Sequence, residues 1–150
     1  MNELTAFHSK PELKQEYLQR LAAHEAADEI IHGTYWQHGK GCAVGCTVHL
    51  NDDAHSAYET QLGVPRILAR LEDRIFEGMK NGDSKTFPRR FLEAIPVGAD
   101  LSLVWPRFAV WLLVDETDGV IRHTKKDSAQ WVAIQRVADL YHDLIGGRDV

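Results

Sequence analysis

The stretch HGKGCAVGCTVH, residues 38–49, decides how the rest of this chain is interpreted. Its twelve residues hold both cysteines of the chain, three of its eleven glycines and two of its eight histidines. Residues that bind metals or react as nucleophiles are thus crowded together with residues that allow close backbone contact. The stretch therefore predicts either a chemical site or the tightly packed start of a helix.

The flanking segments predict a mainly α-helical protein. Ser9 and Glu12 have the spacing of a capping box, which predicts a helix that continues to Ile31 or His32 and ends at Gly33. Apolar residues at helical spacing, bounded by capping residues, proline or glycine, predict further helices. These are expected over residues 41–50, 54–62, 66–79, 88–95 and 100–114, and from a cap at Asp127 or Ser128 to residue 145.

Residues 66–79 have an amphipathic pattern. The predicted apolar face consists of Ile67, Leu68, Leu71, Ile75 and Met79. The predicted solvent face carries Arg70, Glu72, Asp73, Arg74 and Glu77. Because charged residues cover one side of this helix, the pattern is typical of a surface helix that packs on a core with its apolar side.

Residues 100–114 allow two interpretations, since eleven of the fifteen are apolar and periodicity cannot separate a buried helix from a strand. We favour a buried helix that is broken at Pro106. The alternative is a small β-hairpin near residues 109–123, which would be an isolated two-stranded ribbon of marginal stability. The fold expected for residues 1–150 is a single compact domain, a bundle of about six or seven helices.

Composition excludes two classes of partner. The net charge is −5, and the longest basic runs are pairs such as Arg89-Arg90, so a nucleic-acid partner is not expected. Residues 1–17 are too polar for a signal peptide, and the longest apolar run, residues 101–114, is too short to span a membrane. Two cysteines form no disulfide framework, so a cytoplasmic protein with reduced thiols is expected.

The first functional hypothesis is a metal site. In a helix, Cys42, Cys46 and His49 stand at i, i+4 and i+7, within roughly 60° of one another. Thiolates and imidazoles are the ligands that zinc prefers. The set would be completed by His38 in the preceding loop or, alternatively, by His24 and Asp28 from the first helix. The expected cofactor is zinc or iron, held by Cys42, Cys46, His49 and His38.

The second functional hypothesis is a reactive thiol. Cys42 would lie in the first turn of its helix, where free N–H groups favour a thiolate, and Cys46 would act as the resolving thiol. His24 and Asp28 lie one turn apart on the same stripe of the first predicted helix, so the acid could orient the imidazole as a base. The catalytic set would then be Cys42, Cys46, His24 and Asp28, acting on a small molecule that the sequence does not identify.

A third interpretation needs no chemistry at all. Free cysteines behave as small buried hydrophobes, and the glycines would mark places where segments touch. The chain would then be a non-enzymatic interaction or structural protein, and whether it is an enzyme stays open. The apolar residues 101–114 would suit a subunit contact, so this alternative expects a homodimer.

Overall fold

The structure, a computed structural model, describes residues 4–80 and 82–148. This part of the chain is mainly helical with one small hairpin, which confirms the predicted fold class. Its helices α1 to α7 span Pro11–Ala26, Ala43–Val48, Ala54–Ala57, Arg66–Gly78, Asp83–Glu93, Val104–Val114 and Ala129–Ile145. Short 3-10 or π-helical turns occupy Ala6–Ser9, Tyr58–Leu62 and Val120–His123. Strands β1 and β2 comprise Trp36–Gln37 and Lys40–Gly41.

The chain divides into two compact units, Met1–Leu101 and Ser102–Val150. The first unit contains α1 to α5 and the hairpin, and the second contains α6 and α7. The expectation of one domain over residues 1–150 stays a prediction. Within the described ranges no helix combines the length and the hydrophobicity needed to cross a lipid bilayer. Residues 1–3 of the polar N-terminal segment lie outside the described residues.

The sequence HGKG forms the turn of the antiparallel hairpin. His38 and Gly39 both adopt left-handed φ angles, 52° and 79°, which a tight two-residue hairpin turn requires. The hairpin alternative near residues 109–123 is wrong, because α6 continues to Val114 and Val120–His123 form a 3-10 turn. The helical alternative for residues 100–114 is the one that is confirmed.

Helix α2 forms the centre of the first unit. All six of its residues are buried, and it packs against α1, α4 and α5. The helix is shorter than the predicted 41–50, because Cys42 is extended and His49 turns left-handed with a φ of 56°. Only small and β-branched side chains can fill so enclosed a position, which explains the composition of this stretch.

The end of α1 differs from the prediction. The helix ends at Ala26, and Asp28 adopts a left-handed φ of 54°. The backbone then turns to bond with the hairpin: the Gly41 N–H donates to the Glu29 carbonyl (3.0 Å), and the Ile31 N–H donates to the Gly41 carbonyl (2.8 Å). Backbone partners from the hairpin therefore replace the helical bonds that the sequence pattern predicts for residues 27–32.

Helices α4 and α5 also differ from the sequence prediction, α4 in which residues are buried and α5 in where it begins. Glu72, predicted on the solvent face, is fully buried, whereas Ile67 and Ile75 from the predicted apolar face are more than a third exposed. Helix α5 begins at Asp83, five residues before the predicted start, and continues through Pro88. Packing of the surrounding core stabilises this helix even though proline removes one of its hydrogen bonds.

In the second unit, α6 and α7 form an antiparallel pair. The Trp105 indole N–H, near the start of α6, donates to the Tyr141 hydroxyl near the end of α7 (3.2 Å). Pro106 falls in the first turn of α6, where proline is tolerated, so the predicted break does not occur. The predicted cap at Ser128 is confirmed, since its hydroxyl accepts from the Trp131 N–H. Helix α6 is not buried, however: the Trp111 side chain is 43% exposed.

Candidate functional site

Cys42 is buried and lines a pocket in the first unit. It is the residue before the first turn of α2, and its extended backbone directs the chain from the hairpin into the helix. The pocket has a volume of about 210 Å³. Its lining residues are Gly33, Thr34, Tyr35, Cys42, Asp73 and Glu77.

Three potential metal ligands meet in this pocket. The Cys42 sulfur and one carboxylate oxygen each from Asp73 and Glu77 all lie within 4.8 Å of one another. Asp73 and Glu77 are one turn apart on α4, so both side chains project toward the start of α2. Among the described residues, this is the one set of three such groups close enough to hold an ion.

Neighbouring groups hold the two carboxylates in place. Asp73 Oδ2 accepts hydrogen bonds from the Tyr35 hydroxyl (3.3 Å) and from Nε2 of His55 (3.1 Å). Both carboxylate oxygens of Glu77 accept from the Gly33 N–H, at 3.0 and 3.1 Å. The pocket is therefore organised by backbone and side-chain donors from two segments, the loop at residues 33–35 and helix α3.

The electrostatics of the pocket favour a protonated thiol. Burial raises the pKa of Cys42 to about 12, the N–H of Gly45 opposes this rise, and the Asp73 carboxylate adds to it. Burial and the Asp73 carboxylate also raise the pKa of Tyr35. The surroundings of Cys42 thus do not favour the low-pKa nucleophile that the sequence predicts. A cation bound beside the sulfur would displace the thiol proton.

Cys46 lies one turn further along α2 and outside the pocket. Its thiol is buried and donates to the Gly41 carbonyl (3.3 Å). Burial raises its pKa to about 12, and the Gly41 hydrogen bond opposes that rise. The two cysteines are free thiols with different neighbours, and the environment of Cys46 is that of a packing residue.

His49 and His24 form a second cluster. Their Nε2 atoms are 2.8 Å apart, and the imidazole of His49 stacks on the Trp36 indole with a centroid distance of 4.2 Å. Nδ1 of His24 lies 2.6 Å from Oε2 of Glu29. The structure therefore pairs His24 with His49 and Glu29. Among the described residues, neither histidine belongs to a cluster of metal-ligand groups that also contains the two thiols.

Asp28 and His38, the remaining residues of the predicted sites, lie away from both clusters. The Asp28 carboxylate is exposed and accepts from the Lys85 ammonium group (2.7 Å), which lowers the pKa of Asp28. His38 is exposed in the hairpin turn. The four predicted metal ligands therefore do not lie together in the structure, and neither do the four predicted catalytic residues.

Sequence patterns miss several residues of these clusters. Glu29 is missing from the predicted site because the prediction assumes that α1 continues past residue 28, which would place Asp28 beside His24. The helix ends at Ala26, and the chain beyond it is not helical. Asp73 and Glu77 are assigned to a solvent face, although their i, i+4 spacing does indicate one shared side of α4.

Comparison of the chain with protein-family models, curated proteins and solved structures found no match.

Proposed function

We propose that this protein binds a divalent metal ion, zinc or iron, with Cys42, Asp73 and Glu77 as its protein ligands. The observation that carries the proposal is the convergence of these three ligand groups within 4.8 Å. Ligands around one zinc ion lie 2.0–2.3 Å from the metal and hence about 3–4 Å from one another. Small movements of two carboxylates would therefore complete the coordination.

The ligand types favour a particular class of ion. A thiolate is a poor ligand for magnesium or calcium, which prefer oxygen, and a good one for zinc or iron. Three protein ligands would leave a further coordination position for water or a small molecule, which is typical of catalytic rather than structural zinc sites. The pocket of about 210 Å³ next to the three groups offers space for such a ligand.

The surroundings support the proposal in two further ways. His55 and Tyr35 donate to Asp73, and the Gly33 N–H donates to Glu77, as outer hydrogen bonds orient carboxylate ligands in metalloproteins. The raised pKa of Cys42 means that metal binding would release a proton, so affinity should increase with pH. The free thiols suit a reducing compartment, and we place the protein in the cytoplasm.

A titration with Zn²⁺ tests this proposal. The protein, purified without a metal-affinity tag and stripped with a chelator, is expected to bind about one ion per chain in isothermal titration calorimetry. Cys42→Ser should weaken binding at least tenfold, because a neutral hydroxyl replaces the thiolate. Serine is a preferred residue at a helix N-terminus, so this variant should keep the start of α2.

The matched control is Cys46→Ser, which alters an equally buried thiol outside the pocket. It should leave zinc affinity unchanged within about twofold, because Cys46 contacts backbone carbonyls rather than the carboxylates. Equal zinc affinity in wild type and Cys42→Ser, or a loss confined to Cys46→Ser, would contradict the assignment of the ligands.

A second candidate function is self-association through the second unit, as the homodimer interpretation proposes. Among the described residues of this unit, seven large hydrophobic side chains are exposed: Val104, Trp111, Leu112, Val120, Val137, Leu140 and Leu144. Apolar surface at this density usually marks a contact surface. Two copies of an antiparallel helix pair would pack as a four-helix bundle, in which each copy covers the other's exposed residues.

Sedimentation velocity of the full chain tests self-association. We expect wild type to sediment as a dimer and Leu140→Glu as a monomer, because a charge would replace a leucine that is 51% exposed in one chain. Ile67→Glu is the control, since Ile67 is an exposed apolar residue of the first unit. A monomeric wild type, or equal dissociation in both variants, would exclude this candidate.

A further inference from the structure

The histidine cluster joins three segments of the first unit. His24 comes from the last turn of α1, Glu29 from the loop that follows, and His49 from the residue after α2. Trp36 of β1 stacks on His49 with an angle of 16° between the ring planes. His24 is 9% exposed and His49 is exposed, so the cluster leads from the interior to the surface.

The hydrogen bonds assign the proton positions in this cluster. An ionised carboxylate can only accept, so Nδ1 of His24 carries the proton that is donated to Oε2 of Glu29 (2.6 Å). Nε2 of neutral His24 is then an acceptor, and the 2.8 Å contact requires that His49 donates from its own Nε2. Each histidine is thereby restricted to one neutral tautomer.

This arrangement makes Nδ1 of His49 the outermost basic atom of the chain of bonds. Within the described ranges no residue hydrogen-bonds to it, and the stacked Trp36 keeps the ring in position. Burial, followed by the charges of Arg20 and His24, lowers the pKa of His49, so its neutral form predominates at pH 7. The unshared electron pair of Nδ1 is therefore available to accept a proton.

We propose that Glu29, His24 and His49 form a proton relay in which Nδ1 of His49 is a general base toward small substrates that lose a proton to become anions. In the step, the substrate proton moves to Nδ1 of His49 while the Nε2 proton of His49 passes to Nε2 of His24. The bonding electrons stay on the substrate as its negative charge. The positive charge arrives at His24, beside the Glu29 carboxylate that stabilises it.

The charges around the cluster support this choice of substrate class. Arg20 of α1 donates to the Thr47 carbonyl (2.7 Å) and acts on His49 electrostatically, so it would favour a developing anion there. Glu16 is the ion-pair partner of Arg20 and is itself mostly exposed. Helix α2 and strand β1 contribute no charged side chain, and within residues 4–80 and 82–148 Glu29 is the one carboxylate bonded to the pair.

The test uses 5-nitrobenzisoxazole, a neutral probe in which a base removes the carbon-bound proton. The electrons of the broken C–H bond complete the nitrile, and the N–O bond breaks with its electrons going to oxygen, so the ring opens to a single coloured cyano-nitrophenolate. The reaction is followed with the full chain in the presence of EDTA, so that its outcome does not depend on the metal proposal. His49→Asn should lower the rate about tenfold or more, and asparagine tolerates the left-handed backbone of this position. His38→Asn, in an exposed and equally left-handed position, should leave the rate unchanged.

Glu29 is a positioning residue in this proposal, and its test needs a readout that a purely structural role would not change. Glu29→Gln keeps a hydrogen-bond acceptor but removes the charge, so the rate should fall about tenfold while ¹⁵N chemical shifts still show the Nδ1–H tautomer at His24. Asp28→Asn, which removes the neighbouring exposed carboxylate, should change neither rate nor tautomer. An unchanged rate in His49→Asn or in Glu29→Gln, or the Nε2–H tautomer at His24 in wild type, would overturn the relay.

Discussion

Gly45→Ala is expected to destabilise the first unit by at least about 3 kcal/mol, because an added Cβ meets a closer neighbouring atom here than at any other glycine. A Cβ at residue 45 would lie 1.4 Å from the Tyr35 carbonyl oxygen and 2.3 Å from its carbonyl carbon. Both atoms belong to the backbone, so no rotamer change can relieve the clash. Because α2 is buried on all sides, the helix cannot move away without disrupting its contacts with α1, α4 and α5.

The measurement is urea-induced unfolding followed by circular dichroism, with Gly78→Ala as the matched control. A Cβ at Gly78 would meet no heavy atom within 4 Å, and this residue ends α4. Alanine there should change the free energy of unfolding by less than about 1 kcal/mol, in the stabilising direction, because it restricts the unfolded chain. Equal stability of the two variants would show that the segment at Tyr35 does not press against α2.

The second large effect concerns Glu72 and the dependence of stability on pH. Glu72 is fully buried and accepts a hydrogen bond from the Tyr58 hydroxyl (2.6 Å), while its Oε1 has no partner among the described residues. Burial raises its pKa to about 8 from the ordinary value of 4.5, although the bond from Tyr58 opposes this rise. The folded protein therefore holds a proton on Glu72 at pH values where the unfolded chain has lost it.

The direction of the effect follows from this difference in proton binding. Below pH 4.5 both states are protonated, and the neutral carboxyl group carries no ionisation penalty. Between pH 4.5 and about 8 the folded state binds more protons than the unfolded state, so the free energy of unfolding falls as the pH rises. The loss over this range should amount to about 5 kcal/mol at most, and above it the contribution should be constant.

Glu72→Gln should abolish most of this loss, because the amide is neutral at every pH and its oxygen can still accept from Tyr58. Urea unfolding at pH 5 and pH 8 would measure the slope in wild type and in the variant. Glu116→Gln is the control, since Glu116 is exposed and should leave the slope unchanged. Parallel pH dependence in wild type and Glu72→Gln would refute the assignment to this carboxyl group.

Much of the helical architecture could be predicted from local signals. Pro65 before α4 and Ser128 before α7 identify helix starts to within one residue, because proline geometry and side-chain capping act over a few residues. The close packing expected of Gly39, Gly41 and Gly45 is present at the last two, which face the Tyr35 backbone, whereas a Cβ at Gly39 would meet no heavy atom within 4 Å. The left-handed residues that end α1 and α2, Asp28 and His49, have no equally clear sequence signal.

The grouping of the site residues could be predicted only in part. His24 and His49 belong to different predicted sets, yet they contact each other because two helix ends meet at the hairpin. Cys42 and Cys46 point to different surroundings although they lie one turn apart, since Cys42 precedes the helix and is extended. Side-chain directions at helix ends depend on one or two backbone angles, which periodicity does not report.

The helical class, the narrow space required beside α2 and the residues able to carry chemistry can all be inferred from the order of residues, because these depend on neighbours within one or two turns. Which of those residues meet depends on long-range packing. Cys42 and Asp73 are distant in sequence, and their contact depends on how α2 packs against α4. The same packing buries Glu72, which its charge alone would place in solvent: the hydroxyl of Tyr58 supplies a partner, and burial of the surrounding apolar side chains offsets the cost of removing a carboxyl group from water.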